Sequence, residues 1–246
     1  MYRLLWLLNI PFSWSIWLSV TAVMIVVAVV AQLIAWPFDP DRRVSLWVTQ
    51  AFFGRLIFAA EPFLRVRRTL PPNLGPGPFI VVANHNSIID IPLIMGLPFP
   101  LRVVAKAPLM DVPVMGWYMR FSGQIAMHTG SPEAVASSLQ ACLDSLNAGI
   151  SLLIFPEGTR SLDGNLLRFR RGAFRLSKDT GVPILPVVIT GAGALLPKQV
   201  LIPQLIVPKL GVRALDPVDP ADFSTARAMS NRVRAAMDHA LEEARG

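Results

Sequence analysis

A histidine followed five positions later by an aspartate, in Asn84-His85-Asn86-Ser87-Ile88-Ile89-Asp90, has the makings of acid–base chemistry on a hydroxyl group. A neutral imidazole can take a hydroxyl proton on one nitrogen while a carboxylate holds the hydrogen on the other and favours the imidazolium that forms. On one continuous helix five positions turn through roughly 140°, and the two side chains would not share a face. They meet if His85 lies on a turn and Asp90 in the first turn of a helix. By itself the spacing also suits a hydrogen-bonded structural histidine. A second cluster, Phe155-Pro156-Glu157-Gly158-Thr159-Arg160-Ser161, packs a carboxylate, a glycine, two hydroxyls and a guanidinium into one short segment. Arg160 offers a planar fork for phosphate oxygens, Glu157 can accept hydrogen bonds from sugar or glycerol hydroxyls, and Gly158 lets a ligand approach the backbone. The alternative is a solvated loop with a local Glu–Arg ion pair, which leaves the grouping beside the histidine pair unexplained.

Both clusters follow short apolar runs that read as strands: Phe79–Ala83, Leu101–Ala105, Gln124–Met127, Ser151–Phe155 and Ile184–Thr190. Helical patterns alternate with them, so an α/β fold is expected, a mixed sheet flanked by helices, with both clusters at the carboxyl ends of strands where open α/β sheets bind ligands. Ser131-Pro132 signals the start of a helix running to about Leu146, and Met229, Val233, Met237 and Leu241 mark a closing amphipathic helix. Cys142 falls mid-helix and reads as structural, and His239 as an ordinary helix residue. Gly191-Ala192-Gly193 lacks the third glycine of a dinucleotide loop, because Leu196 takes its place.

The amino terminus is of a different kind. From Leu4 to Phe38 there is no charged residue, and Ile16–Ala35 is nearly all aliphatic, long enough to cross a bilayer as a helix. Trp6, Trp14 and Trp17 at one end and Trp36 at the other suit the two headgroup levels. A cleaved signal peptide is the competing reading; the run is too long for one and only Arg3 precedes it. Arg42, Arg43, Arg55, Arg65, Arg67 and Arg68 follow the span, which places the rest of the chain in the cytoplasm by the positive-inside rule. Residues 1–40 are thus expected to be a membrane-anchoring segment, 41–78 an interfacial helix (Val44 to about Phe63–Leu64) and a Pro/Gly linker, and 79–246 the catalytic domain. The localisation implied is a membrane, the inner one in a bacterium.

The formal net charge of +7 fits an acidic membrane surface or an anionic substrate, and with no zinc-finger, helix-turn-helix or single-strand-binding pattern no nucleic acid is expected. Arg168, Arg170, Arg171, Arg175 and Lys178 lie between Gly164 and Lys178 with no acidic residue, a local positive field that suits carrier phosphates or lipid headgroups and equally a solvated helix face. Three scattered histidines and one cysteine give no metal-ligand spacing, and no G-x-S-x-G elbow is present. Neither a metal nor another cofactor is expected.

Together the two clusters closely resemble the glycerolipid acyltransferase family, in particular its 1-acylglycerol-3-phosphate acyltransferases. Asn84-His85-x-x-x-x-Asp90 matches the catalytic signature, and Phe155–Ser161 the acceptor-binding signature in full. Phe169-Arg170-Arg171-Gly172-Ala173 and Val182-Pro183-Ile184-Leu185-Pro186 extend the likeness, which covers roughly residues 79–191. The resemblance implies that His85 is the base for the lipid hydroxyl and Asp90 its partner. It makes Glu157, Gly158 and Thr159 part of the acceptor site, Arg160 a phosphate ligand, and Lys106 a second cation near the phosphate. The implied reaction moves a fatty acyl group from an acyl-CoA or acyl carrier protein thioester to 1-acylglycerol-3-phosphate, giving phosphatidic acid. One block departs: His128-Thr129 stands where the family commonly has an acidic residue and arginine. That substitution keeps open a phosphate-free acceptor such as a lyso-ornithine lipid, with His128 a compensating donor or simply a strand-end residue. A non-catalytic lipid-binding membrane protein is the distant alternative.

Overall fold

The computed structural model describes residues 2–61, 64–198 and 209–245; Phe63 and the side chains of residues 2–10 and 13, Arg3 and Trp6 among them, lie outside the described residues. Helix α1 (Tyr2–Ala35) holds the apolar run, and its segment Trp14–Ala35, with mean hydropathy 2.5, is long and apolar enough to cross a membrane. One stripe of α1, Met24, Ala28 and Gln32, is buried against helix α2 (Arg43–Ala51), while Leu18, Val23, Val26, Val30 and Leu33 stand exposed. Such a continuous exposed apolar stripe has no role in water and suits lipid. Polar groups lock the helix pair. Gln32 Oε1 accepts the Ser45 N–H at 3.1 Å, and the Asp39 carboxylate caps the start of α2 by accepting the N–H groups of Arg43 and Val44.

After α2 the helix continues through a π-helical turn, Phe52–Leu56, into α3 (Ile57–Ala59). There Gly54 packs backbone to backbone on Gly96, so closely that a Cβ would lie 2.4 Å from the Gly96 nitrogen. Gln50 reaches the same region, donating to the Phe99 carbonyl at 2.9 Å. The segment expected to be an interfacial helix also packs on the α/β body. Trp14 and Trp17, expected at a headgroup level, line an apolar cavity that is open on one side, with Trp17 edge-on to Phe58 at 5.9 Å.

Among the described residues the sheet has seven strands in the order β1-β7-β6-β2-β5-β3-β4. They are β1 (Val66–Thr69), β2 (Ile80–Ala83), β3 (Leu101–Lys106), β4 (Ile125–Met127), β5 (Ser151–Ile154), β6 (Ile184–Thr190) and β7 (Leu210–Ala214). Five parallel strands, β6 to β4, form the body; β7 runs antiparallel to β6 and parallel to β1. The sheet is mixed, as expected, but β1 precedes the Pro/Gly run and still belongs to it. That run is a connection within the sheet, which starts upstream of residue 79.

Alternation along the strands separates two cores. Val81, Ala83, Leu153, Leu185, Val187 and Ile189 face one side, against α1, the α2–α3 segment and helix α4 (Asp90–Ile94). Ile80, Val82, Leu152, Ile184 and Val188 face the other. There they meet helices α6 (Pro132–Asn147), α7 (Gly172–Thr180) and α9 (Ala226–Arg245). Two further helices, α5 (Met115–Phe121) and α8 (Ala192–Leu195), sit near the cavity on the α1 side. Ser131 caps α6 by accepting the Ala134 N–H, and Met229, Val233, Met237 and Leu241 are buried along α9 as their period requires. Cys142 is fully buried, and burial pushes its thiol up to about 11, so it is packing rather than a nucleophile.

Candidate active site

The chain leaves β2 through Asn84, whose buried amide is a two-way clamp on β6. Its Oδ1 accepts the Ile189 N–H at 2.7 Å and its Nδ2 donates to the Ile189 carbonyl at 2.9 Å. This fixes the point where His85 begins. Ser87 closes the turn, its hydroxyl donating to the Leu196 carbonyl at 2.6 Å. Asp90 then opens α4, so the histidine is on the turn and the carboxylate in the first helical position, the one arrangement in which five residues allow contact.

They do touch. His85 Nδ1 lies 2.8 Å from Asp90 Oδ2, and Asp90 is 1% exposed. The same Oδ2 accepts the N–H groups of Asn86 at 2.7 Å and Ser87 at 2.8 Å. An oxygen already receiving two N–H bonds acts as an acceptor toward the imidazole as well. Nδ1 therefore carries the hydrogen, and Nε2 presents its lone pair outward. The imidazole face rests on Phe155, ring centroids 3.9 Å apart.

Glu157 is used differently from what its motif suggests. It is 5% exposed; Oε1 accepts the His85 N–H and Oε2 the Leu167 N–H, each at 3.0 Å. Both oxygens are thus engaged by backbone, and Glu157 braces the His85 turn against the loop that leads to α7. Burial raises its carboxyl above the usual range, opposed by those two backbone bonds and by His85. Gly158 adopts a left-handed φ of +69°, and the space in front of it is filled by Arg170, whose Nε would lie 2.6 Å from an added Cβ. The close approach at Gly158 is to a side chain of this chain. Ser161 closes the loop, its N–H donating to the His85 carbonyl at 2.7 Å.

Lys106 stands exposed at the carboxyl end of β3, and Thr159 and Arg160 follow β5. Since β2, β5 and β3 are adjacent and parallel, His85, Arg160 and Lys106 share one end of the sheet. Among the described residues neither cation bonds to the His85–Asp90 pair. A third cation that sequence reasoning missed joins them: Lys198 Nζ donates to the Arg160 carbonyl at 2.9 Å and reaches Thr159 Oγ1 at 3.2 Å. Nothing local in the sequence marks it, since 38 residues separate it from Arg160. His128 is exposed just beyond β4, and His239 is exposed on α9 beside Glu243.

An apolar cavity of about 520 Å³ opens beside the pair, between the α/β body and α1. Ile88, Ile89 and Pro92 line it next to Asp90; Met24, Phe53 and Met119 line it farther off. Its walls suit a hydrocarbon chain and repel a charged group.

A His–Asp pair at a strand end, cations along the same edge and an apolar cavity under an apolar helix together form the candidate site. The acyltransferase family pattern matches residues 65–190, about half of the chain, and the chain belongs to that family. It is similar to the 1-acyl-sn-glycerol-3-phosphate acyltransferase of Chlamydomonas reinhardtii, 34% identical over 192 residues, 76% of this chain and 55% of the algal protein. The enzyme of the same name from Pseudomonas aeruginosa is 30% identical over 157 residues, 63% of this chain and 57% of that one. The chain spans about half the length of the curated relatives it matches. The crystal structure of the 1-acyl-sn-glycerophosphate acyltransferase PlsC from Thermotoga maritima superposes with a TM-score of 0.79 at 27% identity, over 100% of this chain and 98% of that one.

Proposed function

We propose that this protein transfers a fatty acyl group from an acyl thioester to the free hydroxyl of 1-acylglycerol-3-phosphate, giving phosphatidic acid. The observation that carries this reading is the His85 Nδ1–Asp90 Oδ2 bond beside an apolar cavity. His85 Nε2 takes the proton of the acceptor hydroxyl as its oxygen bonds to the thioester carbonyl carbon. The tetrahedral oxyanion collapses, the carbon–sulfur bond breaks, and the leaving thiolate takes the proton from the imidazolium. Asp90 favours the imidazolium and keeps the ring in the tautomer that needs Nε2 as base. No covalent enzyme intermediate is required.

The acceptor's acyl chain lies in the cavity and its phosphate meets Arg160 and Lys106 at the strand ends. The names of the similar proteins support this acceptor. Helix α1 holds the chain in the bilayer through Trp14–Ala35, a reading supported by its length and hydropathy, and the arginines that follow it support a cytoplasmic position for the catalytic body by the positive-inside rule.

The test uses the purified full chain in detergent or nanodiscs, with acyl-CoA and acyl carrier protein thioesters against lyso-lipids with and without phosphate. Lysophosphatidic acid should turn over fastest, and Arg160→Ala should raise its KM more than that of the donor. Faster transfer to a lyso-ornithine lipid, or equal effects of Arg160→Ala on both constants, would overturn the acceptor assignment.

A further inference from the structure

A second concavity, of about 350 Å³, lies between the loop ahead of α7 and the amino-terminal half of α9. Its wall carries Arg168 and Arg171 from the loop and Arg227, Asn231 and Arg234 from α9, with no carboxylate among the described residues that line it. Arg234 is held in place, donating to the Leu166 and Leu167 carbonyls at 3.0 and 3.4 Å, with Asp238 at 4.0 Å. Arg168, Arg171 and Arg227 make no ion pair among the described residues. Elsewhere in the protein arginines do find carboxylates, as in Arg213–Glu243 at 2.7 Å and Arg175–Asp179 at 3.7 Å. Helix α7, nine residues long, adds to the field: its first turn has no acidic residue and no side-chain cap, and Arg171 sits at its start. Four guanidinium groups around one concavity repel one another, and an anion with several oxygens relieves that repulsion through the bidentate geometry Arg provides.

Position selects the anion. Phe169, Met229 and Val233 belong to the core on the α6–α7–α9 face, whereas α1 packs on the opposite face. The concavity thus opens away from the apolar helix, toward water. A lysolipid phosphate is tethered to a chain on the other face, so the reactant that can reach this site is the soluble, multiply phosphorylated one, the thioester carrier. The site is also joined to the catalytic turn. Glu157 bridges the backbone N–H groups of His85 and Leu167, and Arg168 is the next residue. A carrier held here extends its flexible arm over the carboxyl edge of the sheet toward His85. A concave pocket of this size suits a nucleotide rather than the flat acidic face of a carrier protein.

Resting on the acyl-transfer reading for the identity of the reactant, we propose that this pocket binds the phosphates of a coenzyme A thioester, with Arg168, Arg171 and Arg227 as ligands. Among the described residues the three side chains make no hydrogen bond or ion pair, so their replacement by glutamine should leave the fold intact, which the melting temperature checks.

The experiment measures equilibrium binding of coenzyme A, 3′-dephospho-coenzyme A and inorganic phosphate to the full chain in nanodiscs, together with KM values for palmitoyl-CoA and lysophosphatidic acid. The pair R168Q/R227Q should weaken coenzyme A binding and raise the palmitoyl-CoA KM by about tenfold or more, with the acceptor KM changed by less than about twofold. Coenzyme A binding should weaken with added salt. Unchanged coenzyme A binding overturns the proposal, whether or not transfer occurs. If the variants instead lose only a dependence on phosphatidylglycerol in the nanodisc, or only the use of acyl carrier protein, the cluster serves lipid headgroups or a protein and the proposal also fails. Wild-type protein that binds coenzyme A through these arginines yet does not acylate lysophosphatidic acid leaves the pocket standing and sinks the acceptor reading alone.

Discussion

The imidazole of His85 lies flat against the ring of Phe155, with planes inclined by 17° and centroids 3.9 Å apart. Phe155 follows β5, so the strand next to the His85 turn supplies the surface on which the imidazole rests. A ring held by one hydrogen bond can still swing about it; a stacked ring cannot. Phe155→Leu keeps the burial and removes the stack, which is worth about 0.5–1.5 kcal/mol. The expected result is a fall in kcat of about three- to tenfold with both KM values little changed, read from steady-state kinetics. An unchanged kcat would mean that Asp90 alone fixes the ring.

Asp90 serves two purposes, and its variants should separate them. Oδ2 accepts from His85 and from two backbone N–H groups, and the residue is buried. Asp90→Asn retains an acceptor but not the charge, so it should cost about 1–2 kcal/mol of stability and about 10²–10⁴ in kcat. Asp90→Ala leaves the Asn86 and Ser87 N–H groups without their acceptor and should be the less stable of the two. Thermal unfolding alongside the acyl-transfer rate checks both. Equal stability of the two variants would remove the carboxylate's role in holding the turn.

The contact between His85 and Asp90 was legible because its geometry is local: the end of a strand, a turn and a helix start follow one another directly from Ala83 to Asp90. The five parallel strands β2 to β6 were legible for a similar reason, as short apolar runs, and β2, β5 and β6 are buried on both faces. Strands β1, Val-Arg-Arg-Thr, and β7, Leu-Gly-Val-Arg-Ala, were not, because no residue of β1 and only three of the five in β7 are buried, and they pair with each other across more than 140 positions. The same distance problem hid the work of Glu157. A charged residue ahead of a glycine reads as a ligand group, and only the folding of the 164–171 loop over it shows its oxygens committed to backbone. The basic run Arg168–Lys178 was visible, but Arg227 and Arg234, which turn part of it into a concavity, come from a helix that begins 46 residues after Thr180.

Glu157 gives a pH signature. Burial raises its carboxyl, so the folded protein holds this proton more tightly than the unfolded chain does. Its contribution to stability is therefore fully present below the ordinary glutamate range and is lost as pH rises through the raised value. Glu157→Gln has no such proton, and it turns an amide N–H₂ toward one of two backbone donors, a loss of about 1–3 kcal/mol. The wild-type advantage in melting temperature over Glu157→Gln should widen as pH is lowered from neutral through that window. Other carboxylates, such as Asp163 and Glu243, whose values are lowered by hydrogen bonds, are common to both proteins and cancel. A gap that narrows on acidification would contradict the burial argument.

The far wall of the apolar cavity holds a polar pair whose loss should be strongly non-additive. Tyr118 on α5 and Thr49 on α2 bring their hydroxyl oxygens within 2.5 Å, and Thr49 Oγ1 also donates to the Ser45 carbonyl at 2.6 Å. With Thr49's only hydrogen so used, Tyr118 must be the donor between them. Burial raises the Tyr118 phenol, partly offset by this bond, in agreement with a hydroxyl that stays protonated. Thr49→Val is nearly isosteric but strands the Tyr118 donor in an apolar space, at about 1–3 kcal/mol. Tyr118→Phe leaves Thr49 bonded to Ser45 and should cost only about 0.5–1.5 kcal/mol. In the double variant no donor is stranded, so its loss should fall below the sum of the two by about 1 kcal/mol or more. Thermal unfolding of the four proteins closes the cycle; additive losses would show that the pair is in contact but not coupled. Because both residues line the cavity, the acyl-chain-length profile of Thr49→Val should shift more than that of the double variant, since the freed hydroxyl seeks a new acceptor in the space an acyl chain would fill.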